Sequence, residues 1–311
     1  MLSKREDVIP VADALLTVYY HRPPVPPMSS LAEQKQAIID QYGEWTNHNM
    51  HLADGLYTIS SAATPSEPKL RRMTQVVMDH FGGSVAGLRV LDLACLEGMY
   101  GLELARQGAQ VVGIEGREAN LAKARFVQQT WGLDNIEFVQ DDVRNLSPEK
   151  YGTFDLVFCL GIYYHLDAPD VFEFMSQVSS VCKRLAIVDT HVSMTAETSH
   201  DYNGLEIWGR NYYEFDPDTP QPERDKILWA SLDNPNSFWL TRPSLFNLMA
   251  KVGFTSVYEC HQPLVQKFVE MRRANINDRA TFMGVKGESV TLRSSELSNG
   301  VPAEVWNEAG H

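Results

Sequence analysis

Apolar positions along this chain change period in a regular alternation. From Pro68 to Phe81 they recur at helical spacing, with Leu70, Met73, Val76, Val77 and His80 on one face. LRVLDLA (88–94) then reads as a strand, Met99 to Gln107 as a helix, QVVGIE (110–115) as a strand and Arg117 to Trp131 as a helix. NIEFVQ (135–140) and FDLVFCL (154–160) are strands, Pro169 to Lys183 is a helix, and RLAIVDT (184–190) is a strand. Short apolar runs alternating with helices predict a mostly parallel sheet covered on both faces, because each crossover lays a helix against it.

The alternation has a prelude and a break. Residues 1–20 would hold a short helix interrupted by Pro10, and the prolines of HRPPVPPMSS (21–30) favour the extended geometry of an arm. A helix follows over Leu31 to Tyr42, with Ser30 as N-cap, and Glu44 to Thr58 lacks a period and reads as a loop. Residues 192–240 lose the alternation and concentrate aromatics, Trp208, Tyr212, Tyr213, Trp229 and Trp239 among them. A long aperiodic segment in a compact domain is often a lid or binding loop. Regularity returns with Thr241 as N-cap of a helix to Val252, a strand at 254–261 and a last strand, RATFMGVK (279–286). The expected division is an N-terminal arm and cap (1–60), a main domain (61–286) with the insertion 192–240, and a polar tail (287–311).

Composition narrows the class. At 44% hydrophobic and 22% charged over 311 residues, the chain reads as soluble and globular. It has neither an apolar run long enough for a bilayer nor an N-terminal secretory pattern, so a cytoplasmic protein without membrane partners is expected. Cys95, Cys159, Cys182 and Cys260 are isolated, without zinc spacing, and no metal site is expected. A net charge of −13 argues against a nucleic-acid partner. The basic cluster Lys69, Arg71, Arg72 reads as a solvated helix face.

Open α/β sheets bind ligands at the carboxyl ends of their strands. Asp92 lies near the end of the first, and Gly98 opens the next helix. Glu115 closes the second, Asp141 and Asp142 follow the third, Leu160 closes the fourth, and Asp189 and His191 end the fifth. An acid at the Glu115 position can accept hydrogen bonds from ribose hydroxyls, and one after the third strand can accept from an adenine amino group. A nicotinamide loop would need glycines at 94, 96 and 99; Ala94, Leu96 and Met99 stand there instead.

Residues 88–191 resemble the class I S-adenosylmethionine-dependent methyltransferases. VLDLACLEG is similar to that family's glycine-rich first motif, IEGRE to the second, VQDDV to the adenine motif, and FDLVFCLGIYYHL to the strand and loop beyond it. The resemblance implies a Rossmann-like seven-stranded sheet, mostly parallel with the last strand antiparallel, and S-adenosyl-L-methionine as cofactor. It implies Asp92 among the cofactor contacts, Gly98 and the backbone around Ala94 beside the methionine part, Glu115 at the ribose, Asp142 and Val143 at the adenine, and Leu160 near the methionine end. A narrower resemblance, to the carboxymethyltransferases of tRNA wobble uridine and their methyltransferase relatives, rests on LGIYYHLDAP and RATFMGVK. Tyr164 and Arg279 match that group's carboxylate pocket, whereas the lysine expected near Trp45 is replaced by TNHN.

The expected function is methyl transfer to an O, N or C nucleophile of a small-molecule acceptor. Carboxymethyl or methyl transfer to tRNA, and a non-catalytic cofactor-binding or partner-binding module, are the alternatives. His165 is the first candidate base and His191 the second, since histidine titrates near neutral pH. Trp45, His48, Tyr163, Tyr164, Trp208, Arg210, Tyr213, Trp239 and Arg279 are the candidate acceptor contacts. The insertion's aromatics serve equally as a homodimer contact.

Overall fold

A computed structural model describes residues 30–260 and 278–293, apart from 54, 63, 65, 225, 228, 289, 291 and 292. The expected arm and its short helix, all but residue 30, lie outside the described residues, as does the tail beyond 293.

The chain begins with α1 (Leu31–Tyr42), a hairpin of β1 (His51–Ala53) and β2 (Leu56–Tyr57), and α2 (Ser66–His80). The alternating region follows as β3 (Arg89–Leu93), α3 (Met99–Arg106), β4 (Gln110–Glu115), α4 (Glu118–Trp131) and β5 (Ile136–Gln140). It continues through α5 (Pro148–Tyr151), β6 (Phe154–Leu160), α6 (Asp170–Val181) and β7 (Cys182–His191). Then come β8 (Thr198–Tyr202), β9 (Leu205–Tyr213), α7 (Gln221–Arg224), β10 (Asn236–Leu240), α8 (Arg242–Lys251), β11 (Ser256–Cys260) and β12 (Arg279–Val285).

The main sheet has seven strands in the order β11-β12-β7-β6-β3-β4-β5, with β12 antiparallel to both neighbours. Its order reverses at β3, between β6 and β4, so the crevice expected in an open α/β sheet falls at the carboxyl end of β3. Alternate residues feed two cores, as the pleat requires. Leu91, Leu93, Val157 and Val188 face α6 and α8, through Phe172, Met175, Leu245 and Leu248. Val90, Leu156 and Ile187 face α2, α3 and α4, through Met73, Val77, Leu102 and Leu121. Each such side chain contributes roughly 1.5–3 kcal/mol by leaving water.

The helix starts follow the expected caps. Ser30 accepts from the Glu33 amide while Glu33 reaches back to the Ser30 amide, and Thr241 accepts from Ser244. The aperiodic insertion differs from expectation: three of its segments pair as an antiparallel sheet, β10-β9-β8. Its first turn is Asn203-Gly204, both at positive φ, which is the backbone a two-residue hairpin needs. The stretch between β9 and β10, like residues 192–197, remains mostly irregular.

Candidate functional site

The loop after β3 is built on left-handed backbone. Ala94, Leu96 and Gly98 have φ of 49°, 51° and 80°. For residues with a Cβ this costs of order 1–3 kcal/mol each, a strain that collects at functional sites. The turn points the Leu96 amide at Glu115, whose Oε2 accepts it at 2.9 Å, while Oε1 accepts the Arg117 amide at 2.9 Å. Gly98 is kept for a packing reason as well as its φ: a Cβ there would stand 2.9 Å from the Phe138 ring and 3.0 Å from Ala124. Ala94 and Leu96 open instead on the cavity, where side chains fit.

That cavity has a volume of about 480 Å³, ordinary for a small-molecule site. It brings together Asp92, Ala94, Glu115, Asp142, Val143, Leu160, Tyr164, His165, His48 and Arg279 from the sequence-based candidates. Asp92 is buried, accepts the Gly101 amide at 2.9 Å, and has its pKa pushed up to about 7, chiefly by burial with Glu115 adding to it. Burial likewise raises Glu115, against the two amides it accepts. Asp142 is less free than expected. Arg144 binds both its oxygens, and these bonds outweigh burial and lower its pKa. Val143 opens a short 3-10 turn, where the first N–H has no partner within the turn.

His165 lies in the loop after β6, and its Nδ1 stands 2.9 Å from Oε1 of Glu214. Glu214 is also held by the Ser237 hydroxyl at 2.8 Å and the Ser231 amide at 3.3 Å. Nothing local in the sequence marks Glu214, because it enters from beyond β9, 49 residues away. The segment from β9 to β10 also roofs the cavity with Trp229, Ala230, Ser231, Leu232, Asp233 and Asn234. Leu232 sits on bare backbone at Gly116, where a Cβ would be 2.5 Å from its Cδ1.

On the opposite wall Asp189 is fully buried and accepts from Lys69 Nζ at 2.7 Å, Arg279 Nε at 2.8 Å and Thr281 Oγ1 at 2.7 Å. Burial opposes its ionisation, but Arg279 and Lys69 outweigh that and hold its pKa well below the usual range. Lys69 is thus not on a solvated face: α2 turns it inward, leaving Arg71 exposed. A lysine therefore joins Tyr164 and Arg279, from α2 rather than from the segment near Trp45.

The segment before β1 reaches the site through Glu97. This carboxylate has no solvent exposure and accepts the amides of Thr46 at 2.6 Å, Asn47 at 3.3 Å and His48 at 3.0 Å. Lys123 lies 3.6 Å away and donates to the Glu44 carbonyl at 2.6 Å. His48 accepts the Met99 amide through Nδ1 at 3.2 Å. Burial, with the Lys69 charge beside it, pulls the His48 pKa down to about 3.

Other candidates lie outside the cavity. Trp45 is buried against Phe126, and Tyr163 is buried and stacked on Phe174. Trp208, Arg210 and Tyr213 stand on the three-stranded sheet. Trp239 acts from behind, donating to the Tyr164 carbonyl at 2.9 Å and stacking on His191. His191 has Nδ1 on Asp278 at 2.8 Å and Nε2 at 3.3 Å from Arg279, so it props the cationic wall. Among the described residues no group of three His, Cys, Asp or Glu could hold a metal. No described helix is long and apolar enough to cross a membrane.

The sheet order, the crevice at β3 and the acid at the end of β4 define a Rossmann-like domain for an adenosyl cofactor. Residues 90–184 match the family model described as a methyltransferase domain. Over 115 residues the chain is 34% identical to a ubiquinone biosynthesis O-methyltransferase of Acinetobacter baumannii (strain AYE), covering 37% of this chain and 46% of the relative. It is 36% identical over 102 residues to the protein of the same name from Pseudomonas entomophila (strain L48), covering 33% and 41%. The chain thus spans about half the length of the curated relatives it matches, or somewhat less. Among solved structures, the N-terminal domain of EvdMO1, crystallised with SAH and D-fucose, superposes with a TM-score of 0.62 at 23% identity. That superposition covers 84% of this chain and 98% of the other. The chain carries a class I S-adenosylmethionine-dependent methyltransferase domain.

Proposed function

We propose that the protein transfers a methyl group from S-adenosylmethionine to a hydroxyl oxygen of a small molecule, with His165 accepting the hydroxyl proton. The observation that carries this is the His165–Glu214 pair opening on the same cavity as Asp92 and Glu115. Asp142 and Val143 would hold the adenine, Glu115 the ribose hydroxyls, and Asp92 the α-ammonium group. The cofactor supplies an electrophilic methyl on a sulfonium.

This chain's residues do the rest. The Glu115 carboxylate is fixed by the Leu96 and Arg117 amides, with the Asn120 side chain also bonded to it, and keeps acceptor capacity for the ribose. Glu214 fixes the ring plane of His165, so that Nε2 is the nitrogen left for the acceptor. The roof over Gly116 covers part of the cavity and would help hold an acceptor beside the cofactor, and such alignment is where most of the acceleration of a displacement arises.

The relatives named for O-methyl transfer support oxygen as the acceptor atom. A cavity of small-molecule size and the charge of −13 support a free small molecule over RNA, and a cytoplasmic location is part of the same reading. Trp208, Tyr212 and Tyr213 are partly exposed away from the cavity, which favours a homodimer contact over an acceptor wall there. The test is a screen of a metabolite extract with S-adenosylmethionine for a methyl mass gain, run with His165→Asn beside the parent. A gain on an oxygen that needs His165 supports the proposal; methylation of nitrogen or carbon, or no gain at all, counts against it.

A further inference from the structure

His48 is the one residue of the segment before β1 whose ring combines burial, a fixed tautomer and an opening on the cavity. Nδ1 accepts the Met99 amide at 3.2 Å, so the proton of a neutral ring must sit on Nε2. Nε2 has no hydrogen-bond partner among the described residues, yet it is not sealed in protein, and the residue lines the cavity. The backbone on either side is clamped: the His48 amide donates to Glu97 at 3.0 Å, and its carbonyl accepts from Thr58 Oγ1 at 2.8 Å. The ring also meets Tyr100 edge to face, with centroids 5.7 Å apart. Capping the Met99 amide accounts for Nδ1 but leaves the Nε2 hydrogen, at a ring that lines the cavity, as the donor half of a contact.

The surroundings fix the charge of the missing half. Lys69 stands close enough to act on the ring electrostatically, and the ring caps the first amide of α3, at the positive end of its dipole. Both favour an anion. Asp92, which accepts the Gly101 amide of the same turn, offers the complementary place for a cation. An amino-acid zwitterion satisfies the two together.

Resting on the methyltransferase reading, we infer that His48 donates its Nε2 hydrogen to the carboxylate at the amino-acid end of S-adenosylmethionine. The N-terminal cap is then part of the cofactor site, and Glu97 is its tie to the cofactor loop. His48 reads the amino-acid tail and leaves the adenosine end to Glu115 and Asp142.

Calorimetry with three ligands tests this: S-adenosylhomocysteine, its decarboxylated analogue, and methylthioadenosine, which lacks the amino-acid tail. His48→Asn keeps an acceptor for the Met99 amide and loses the Nε2 donor; His48→Gln restores a donor near that place. A hydrogen bond to a charged group supports an expected loss of about tenfold or more for S-adenosylhomocysteine in His48→Asn, largely recovered in His48→Gln. The two tail-deficient ligands should bind His48→Asn as they bind the parent. An equal loss for all three ligands, or no loss for S-adenosylhomocysteine, overturns the inference. Should the variants fail to fold, the parent protein decides: equal affinity for S-adenosylhomocysteine and its decarboxylated analogue also overturns it. Failure of the parent to bind S-adenosylhomocysteine at all overturns the methyltransferase reading with it.

Discussion

His165 and Glu214, 49 residues apart in sequence, meet at 2.9 Å between Nδ1 and Oε1. The carboxylate fixes the ring orientation and, in the proposed mechanism, would stabilise the imidazolium formed when Nε2 takes a proton. Replacing His165 by Asn should lower kcat on the identified acceptor by about 10²–10⁴-fold, the usual range for a positioned base. Glu214→Gln should lower it less, because the amide still holds the ring without its charge. In both variants the affinity for S-adenosylhomocysteine should stay within a factor of two or so of the parent, read by calorimetry. A kcat unchanged in His165→Asn would remove the base from the mechanism.

With Asp92 at the α-ammonium group, as proposed, cofactor binding should depend on pH. Burial, with Glu115 nearby, holds its pKa at about 7, above the ordinary carboxylate value. Below pH 7 the folded protein keeps a proton there, and a bound ammonium group must expel it. Affinity for S-adenosylhomocysteine should therefore rise with pH by up to ~10-fold per unit below 7 and level off above it. Calorimetry in two buffers of different ionisation enthalpy should find close to one proton released at pH 6 and almost none at pH 8. Asp92→Asn should flatten the profile; a pH-independent affinity in the parent would place the ammonium elsewhere.

Glu97 carries the N-terminal cap. It has no exposure and holds three backbone amides with Lys123 beside it. Glu97→Ala strands a buried lysine and those donors, a change worth about 3–5 kcal/mol when one partner of a buried pair is removed. Thermal unfolding should show a drop of several degrees. A change within experimental error would mean that the cap is not coupled to the loop.

How legible all this was depends on what carries the signal. The strands β4 and β6 match their expected bounds because a buried parallel strand is a continuous apolar run between turn residues. Asp92, Glu115 and Asp142 were legible because strand ends in such a sheet are forced to one rim. The sheet β8–β10 was not, since Trp208, Tyr212 and Tyr213 are partly exposed and blur its alternation. Its one clear sign was Asn203-Gly204. Lys69 turns inward although its neighbour Arg71 is solvated, and charge alone does not tell which way a side chain turns. Glu214 has no local signal at all: only the return of the chain over the sheet edge brings it to His165.

The roof of the cavity hangs on Arg144. Its guanidinium binds Asp142 at 2.5 Å and Asp233 at 2.5 Å, with Asp170 at 3.5 Å. Asp142 belongs to the rim after β5 and Asp233 to the roof, so one side chain joins the two. A second tie runs from Arg117 to the carbonyls of Ile227 and Ala230, both at 3.4 Å. These groups are about one-third exposed or more, so solvent screens them, and the latch contributes on the order of 1 kcal/mol or less to global stability. Its larger effect is expected on ligand binding, through the roof it ties to the rim. Arg144→Met should leave the unfolding temperature nearly unchanged while weakening S-adenosylhomocysteine several-fold, since the closed state binds the ligand and its population falls. Trp229, more than half exposed on the roof, offers the direct readout. Its fluorescence should respond to S-adenosylhomocysteine in the parent and respond less, at saturation, in Arg144→Met. An identical response and affinity in the two proteins would show that the roof stays closed without the latch.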